Sequence, residues 1–424
     1  MRTALIATFF LSTVAFAAPV PAEPSEAELK EKALKLNKEA TNEDAADKKL
    51  KELVKDKINT PKLVKVAAKI LKDAKEGEKP FRFYPALVLA KAAHNAKEFD
   101  AADAFYAFCV KNATDDLKSS KLIAIASTSQ IDFYLGRKQY DKAIKACEKF
   151  LELDGDETIQ SQTIFVLEKK LRAMARNNQS DAAIEEINRF IKRFKEQFFY
   201  QMIKAGIQRE AGKLDDAVDT YKDVLDKIEN SNDIRDEAKK FLGHNIRYSL
   251  SGLYSEMNKI DKATTELEKL MKDDPKNATY KNDLGFMWAD HDVKLEEAEK
   301  LIKEAVEMDL ETNKKALEKG LITEEQAKKA NPAYVDSLGW VLYKRGKYEE
   351  ALKNLLESAG ADDEESDHIE IWDHVGDCYL KLGKKKEALA AFEKGLTMED
   401  VSKKDGERRK NVIAKIAKLK AELK

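Results

Sequence analysis

The chain has 424 residues, 43% of them hydrophobic and 36% charged, with only 16 Gly and 8 Pro. That balance supplies a core, excludes wholesale disorder and favours long solvated helices over turn-rich sheets. A net charge of -2 excludes a general electrostatic affinity for nucleic acid or anionic membranes.

The chain opens with Arg2, an apolar run from Ala4 to Phe16, and the small-residue pattern Ala15-Phe16-Ala17. This is the layout of a secretory signal peptide cleaved after Ala17, and it predicts a protein exported to the periplasm or secreted. The run is shorter than the ~20 residues that span a bilayer. No Cys follows it for lipid attachment, and no later stretch reaches transmembrane length, so no stable membrane insertion is expected after cleavage. Residues 18–24, APVPAEP, read as a Pro-rich linker.

Residues 25–81 read as a helical segment. Ser25 with Glu28 makes a capping box, Thr60-Pro61 reads as an N-cap followed by Pro at the first helical position, and Gly77 stops that helix. Beyond it the sequence becomes periodic. In residues 332–355 a Leu338-Gly339 pair is followed by Gly346, Ala351 and Leu355. In residues 370–396 the markers are Trp372, Val375-Gly376, Tyr379, Gly383, Ala388 and Phe392. A Gly and an Ala facing each other let two helices approach closely, a second Gly frees the turn between them, and the large residues form a stripe that one pair cannot bury alone.

The same register, traced backward, starts units near Pro332, Ala278, His244, Phe198, Ile164, Ala124 and Arg82 or Phe83, the first three of these seven carrying stronger markers than the rest. Residues 82–243 therefore hold degenerate units and 244–400 clear ones. An insertion at 310–331 separates two of the clear units; its helix is expected to run on towards Gly320, with Thr323 and Gln326 capping a short extra helix. The acidic stretch Gly360 to Asp367 lacks the alternating ligands of a calcium loop and reads as a solvated turn. Residues 401–424 place Val412, Ile416, Leu419 and Leu423 on one face and Lys on the other, as in a helix that caps an array's apolar end; a membrane-surface role is the second reading.

Chemistry is sparse. The phosphate-loop, dinucleotide, nucleophile-elbow and zincin motifs are absent, so the expectation is no enzyme and no cofactor. Asp290-His291-Asp292, and His368 with His374 and Asp377, are the nearest approaches to a metal constellation, and neither spacing demands an ion. Cys109, Cys147 and Cys378 are an odd set that gives no disulfide framework; they read as buried thiols, with a Cys109–Cys147 bond as the alternative.

The spaced markers of residues 370–396 make the chain resemble the tetratricopeptide-repeat (TPR) superfamily, whose unit is two antiparallel helices, A and B. The fold this implies is all-α: a right-handed α-solenoid of about eight TPR-like helix pairs with an N-terminal helical segment and a C-terminal capping helix. The resemblance also implies a concave groove lined by helix A at its second, fifth, ninth and twelfth positions. Those positions place Tyr248, Asn282, Phe286, Asp336, Trp340, Tyr343, Asp373 and Asp377 on that face. Aromatics there would anchor a partner polypeptide, and the acids would select a basic or amide-rich segment. The Lys and Arg companions of the family's carboxylate-binding subclass are missing. Residues 282–306 and 332–352 further resemble exported bacterial repeat proteins that act as adaptors, including those serving carboxy-terminal processing proteases of the envelope. The expected function is an exported scaffold or adaptor. A structural envelope component, and an enzyme built around His368, His374 and Asp377, are the alternatives.

Overall fold

A computed structural model describes residues 23–194, 198–360, 368–398 and 403–423. The expected signal peptide, most of the linker and the acidic turn at 361–367 lie outside the described residues. The described residues are helical, with no strand among them.

Three helices come first: α1 (Glu26–Glu39), α2 (Glu43–Lys55) and α3 (Thr60–Asp73). The capping box forms, with the Glu28 backbone N–H donating to Ser25 Oγ at 3.3 Å and the Ser25 N–H donating to the Glu28 carboxylate at 2.7 Å. Thr60 departs from expectation. It is the first helical residue rather than the N-cap, because its hydroxyl donates to the Leu53 carbonyl at 2.6 Å and ties α3 back to α2 instead of capping its own helix.

Eight helix pairs follow. They are α4 (Phe83–Asn95) with α5 (Phe99–Lys111), α6 (Ser120–Gly136) with α7 (Tyr140–Leu151), α8 (Glu157–Arg176) with α9 (Ser180–Arg193), and α10 (Phe198–Glu210) with α11 (Leu214–Asn230). Then come α12 (Asp236–Glu256) with α13 (Ile260–Asp273), α14 (Ala278–Asp290) with α15 (Leu295–Glu318), α17 (Pro332–Lys344) with α18 (Tyr348–Ala359), and α19 (Ile369–Lys381) with α20 (Lys385–Gly395). The short α16 (Glu324–Ala327) sits in the insertion, and α21 (Lys403–Glu422) ends the described chain. As expected, α15 runs on to Glu318, Gly320 takes a left-handed conformation, and Thr323 with Gln326 caps α16. Three A helices start earlier than the register suggested: α6 at Ser120 rather than Ala124, α8 at Glu157 rather than Ile164, and α12 at Asp236 rather than His244. Residues 236–243, DEAKKFLG, carry acids in the first turn and good helix formers after them, so the helix begins where propensity permits rather than where the repeat template does.

Every A-to-B turn is built alike. One residue turns left-handed, namely Lys97, Lys138, Asn178, Gly212, Asn258, Asp292, Gly346 and Gly383 in successive pairs. The next N–H then reaches back to the fifth carbonyl before it, as in Lys97's pair (Glu98 to Ala93, 2.9 Å) and Gly346's (Lys347 to Leu342, 2.9 Å). This 6→1 bond is that of a Schellman motif. Just inside each B helix stands a fully buried alanine: Ala102, Ala143, Ala183, Ala217, Ala263, Ala298, Ala351 and Ala388.

The chain divides into two compact units. The described residues up to 130, with 154–160, form the first, whose core includes Leu63, Leu89 and an edge-to-face pair of Phe81 and Phe105 at 5.5 Å. Residues 131–153 and those from 161 onward form the second, in which α10 to α20 stack helix pair on helix pair. Its core passes from Ile228, Ile246 and Leu253 through Leu284 and Ile302 to Trp340, and onward through Leu355 and Val375. At its end Val412, Ile416 and Leu419 of α21 close over Ile369, Ala388 and Phe392. Leu423, expected on the same face, is 39% exposed, since the helix ends one residue before it.

Candidate partner-binding site

Within the second unit, the A helices α14, α17 and α19 lie side by side and leave a recess of about 460 Å³. Glycines set their depth against the B helices. A Cβ on Gly376 would stand 2.3 Å from the Phe392 ring, one on Gly339 2.6 Å from Leu355, and one on Gly285 2.9 Å from the Ala298 carbonyl. Three of the expected residues line the recess: Asn282, Phe286 and Asp336. Thr279, Asp283, Tyr334, His368 and Glu370 join them without having been expected.

Asn282 is buried, its amide nitrogen donating to Asp283 at 3.2 Å while its carbonyl oxygen has no partner within the protein. Tyr248 is exposed along its ring and donates its hydroxyl to Asp283 at 2.5 Å. Burial of the hydroxyl end and the adjoining carboxylate push that phenol well above its ordinary pKa; burial also raises Asp283, against the hydrogen bonds from Tyr248 and Asn282. The Thr279 and Tyr334 hydroxyls share a hydrogen bond of 2.7 Å across α14 and α17.

Asp336 is buried and faces His374, whose Nδ1 lies 3.0 Å and 3.1 Å from its two oxygens. Burial works against the imidazolium, but the Asp336 carboxylate outweighs it and raises the His374 pKa. His374 also stacks on Trp340 at 4.1 Å, and Trp340 stacks on Tyr343 at 4.9 Å. Trp340 is thus only 8% exposed, and it is held from both faces by its own chain. Tyr343 is half-buried, with its pKa pushed up to about 12 by burial and then by Asp377.

Asp373 and Asp377 stand further along α19 and already have cations. Lys415 of α21 reaches Asp373 at 2.7 Å and Asp377 at 2.7 and 2.8 Å, and Arg408 reaches Asp373 at 3.0 Å and also pairs with Glu370. Sequence periodicity had put the lysines of α21 on its solvated side; Lys415 instead turns inward.

The histidines do not assemble a metal centre. His291 Nδ1 bonds the Met287 carbonyl at 2.9 Å, Asp292 pairs with Lys344, and His374 is committed to Asp336. Among the described residues, no group of three His, Cys, Asp or Glu is placed to hold an ion. Cys109, Cys147 and Cys378 are buried free thiols, and burial raises the pKa of Cys147 to about 12 and of Cys378 to about 11. No described helix is long and apolar enough to cross a membrane.

Family models described as tetratricopeptide repeat match residues 132–157, 169–232 and 369–400, which fall on the paired helices. The chain carries tetratricopeptide repeats. Two of those matches lie on the TPR units whose markers were weakest in the sequence. Among solved structures, the chain is similar to a tetratricopeptide repeat protein from Parabacteroides merdae ATCC 43184 (12% identity, 73% of this chain and 98% of that one, TM-score 0.44). It is similar also to BtubC from P. vanneervenii (17%, 55% and 90%, TM-score 0.37). A third is YrrB, a TPR protein described as having an unusual peptide-binding site (16%, 50% and 92%, TM-score 0.31). No curated protein matches the chain. TPR arrays are in general protein-interaction scaffolds that bind protein or peptide partners, and are typically not enzymes.

Proposed function

We propose that this TPR protein is an exported scaffold or adaptor that holds a basic or amide-rich segment of a partner polypeptide against the A helices α12 to α19. The observation that carries the reading is the recess on α14, α17 and α19. It combines an apolar surface at Phe286 with the carboxylates Asp283 and Glu370 and an unpaired amide oxygen on Asn282. A buried acceptor with nothing to accept from is costly, and a donor from a guest backbone or amide would satisfy it. The aromatic supplies affinity, and the acids supply selectivity and on-rate. Export rests on the basic start, apolar run and Ala15-Phe16-Ala17 pattern; a place in an envelope assembly or proteolysis complex follows from export and from the adaptor-like strings of residues 282–306 and 332–352.

A photo-crosslinking amino acid at position 286, compared with one at Leu356, which is 41% exposed on the B helix α18, tests the site. In cells, position 286 should give a discrete adduct that Asp283→Asn weakens, and Leu356 should not; equal labelling at both would remove the reading. Fractionation of cells expressing the chain with and without residues 1–17 tests export: only the full chain should leave the cytoplasm.

A further inference from the structure

The helix α21 is chemically split. Its second half carries Val412, Ile416 and Leu419, which close the apolar end of the stack. Its first half, residues 403–411, reads KKDGERRKN and has no apolar side chain at all. Gly406 within it lowers helix stability. What holds this half is charge and charged hydrogen bonding: Arg409 donates to the Leu396 carbonyl at 2.7 Å and to the Met398 carbonyl at 2.5 Å. Arg408 pairs with Glu370 and with Asp373 at 3.0 Å, Lys404 stands 4.0 Å from Glu370, and the Lys404 ammonium sits 6.0 Å above the Phe286 ring. Seven residues after Arg408, and so on the same helical face, Lys415 bridges Asp373 and Asp377. Glu370 and Phe286 line the recess.

We propose that Glu370, Asp373 and Asp377 form a receptor for a basic amphipathic helix, and that the first turns of α21 are its resident occupant, displaced by a partner helix carrying cations seven residues apart. This rests on the partner-binding reading above and gives the partner its chemistry. Three carboxylates on one face of α19 would repel one another without cations, so the site demands an occupant. Its present one is attached by ion pairs and charged hydrogen bonds that salt and competing cations weaken; Lys415, on the anchored part, releases Asp373 and Asp377 by swinging its own long side chain, while the apolar anchors from Val412 onward keep the displaced segment tethered. Such an arrangement exposes the acids only when a competing cationic helix arrives, and it rejects neutral or acidic segments.

The probe is a labelled peptide of residues 403–423, titrated against the full chain and against Arg408→Glu/Lys415→Glu, which keeps Val412, Ile416 and Leu419. The variant should bind the peptide at least tenfold more tightly than the unaltered chain, and the advantage should shrink with added salt. Equal binding, or none to either up to millimolar peptide, would overturn the proposal. A third protein, adding Asp373→Ala and Asp377→Ala to the variant, should lose the gained binding. If it does not, the peptide sits elsewhere and the partner-binding reading of α19 fails as well. Hydrogen exchange provides a measurement free of binding. In Arg408→Glu/Lys415→Glu, residues 403–411 should exchange at least tenfold faster while 412–422 stay protected, and unchanged exchange in 403–411 would show that the ion pairs do not hold the segment.

Discussion

Gly376 has no room for a methyl group, and Gly206 has. A Cβ on Gly376 would meet three atoms of the Phe392 ring at 2.3 to 2.7 Å, and that ring is itself fully buried. A Cβ on Gly206 meets only the end of the Arg172 side chain, at 2.8 Å, which can swing aside. Overpacking costs about 1–3 kcal/mol, whereas Gly to Ala in a helix interior gains up to about 1 kcal/mol. Gly376→Ala should therefore lower the denaturant midpoint by about 2 kcal/mol's worth of stability, while Gly206→Ala should leave it unchanged or raise it. Equal losses at both would mean that helix approach does not set the register. At this scale the sequence was informative where physics leaves one choice: the alanine inside each B helix can be nothing larger. The turn residue was less legible, since Lys97, Lys138, Asn178, Asn258 and Asp292 take the left-handed position that Gly212, Gly346 and Gly383 fill elsewhere. The Schellman bonds and packing around those turns absorb the modest cost of a side chain there.

Between elements, charge ties neighbouring pairs together. Glu299 of α15, only 5% exposed, receives Lys303 at 2.6 Å, Lys347 at 3.0 Å, and Arg345 from the turn after α17. Burial alone would raise its pKa, but the three cations overcome burial and bring it to about 2. A carboxylate depressed when folded contributes stability that is complete above its unfolded pKa near 4.5 and is lost as pH falls towards 2. Glu299→Gln should thus cost on the order of 2–3 kcal/mol at pH 7. The gap to the unaltered protein should narrow below pH 4.5 and vanish near pH 2; a gap constant across that range in urea titrations would mean that the carboxylate charge is not its source. Contacts of this kind explain why the candidate site was only half legible. Periodicity identified which residues face inward from α14, α17 and α19, because position along a helix determines face. It had no means of pairing Asp373 with Lys415, 42 residues away, or of showing that His374 stacks on Trp340, because such partners meet only through the stacking of separate elements.

From α10 onward in the second unit, each helix pair packs on its sequence neighbours, so stability there approximates a chain of nearest-neighbour terms rather than one indivisible core. Phe392 and Leu270 expose the consequence, since both are fully buried, one at the end of the stack and one in its middle. Truncating Phe392 removes a ring that holds α19, α20 and α21 together, at about 3–5 kcal/mol. Truncating Leu270 leaves a cavity between α12–α13 and their neighbours at about 2–5 kcal/mol. If coupling decays from repeat to repeat, Phe392→Ala should accelerate hydrogen exchange in α19 to α21 by a hundredfold or more and leave α10 to α13 as protected as before. Leu270→Ala should loosen α12 to α15 while the ion pairs of Arg408 and Lys415 still protect α21. A uniform loss of protection from α10 to α21 in either variant would contradict this, because it would require the stack to open as a single unit. Local opening matters for the site: α19 and α21 carry the acidic receptor and its basic occupant at the end of the array, where one interface rather than two must yield before a guest helix can enter.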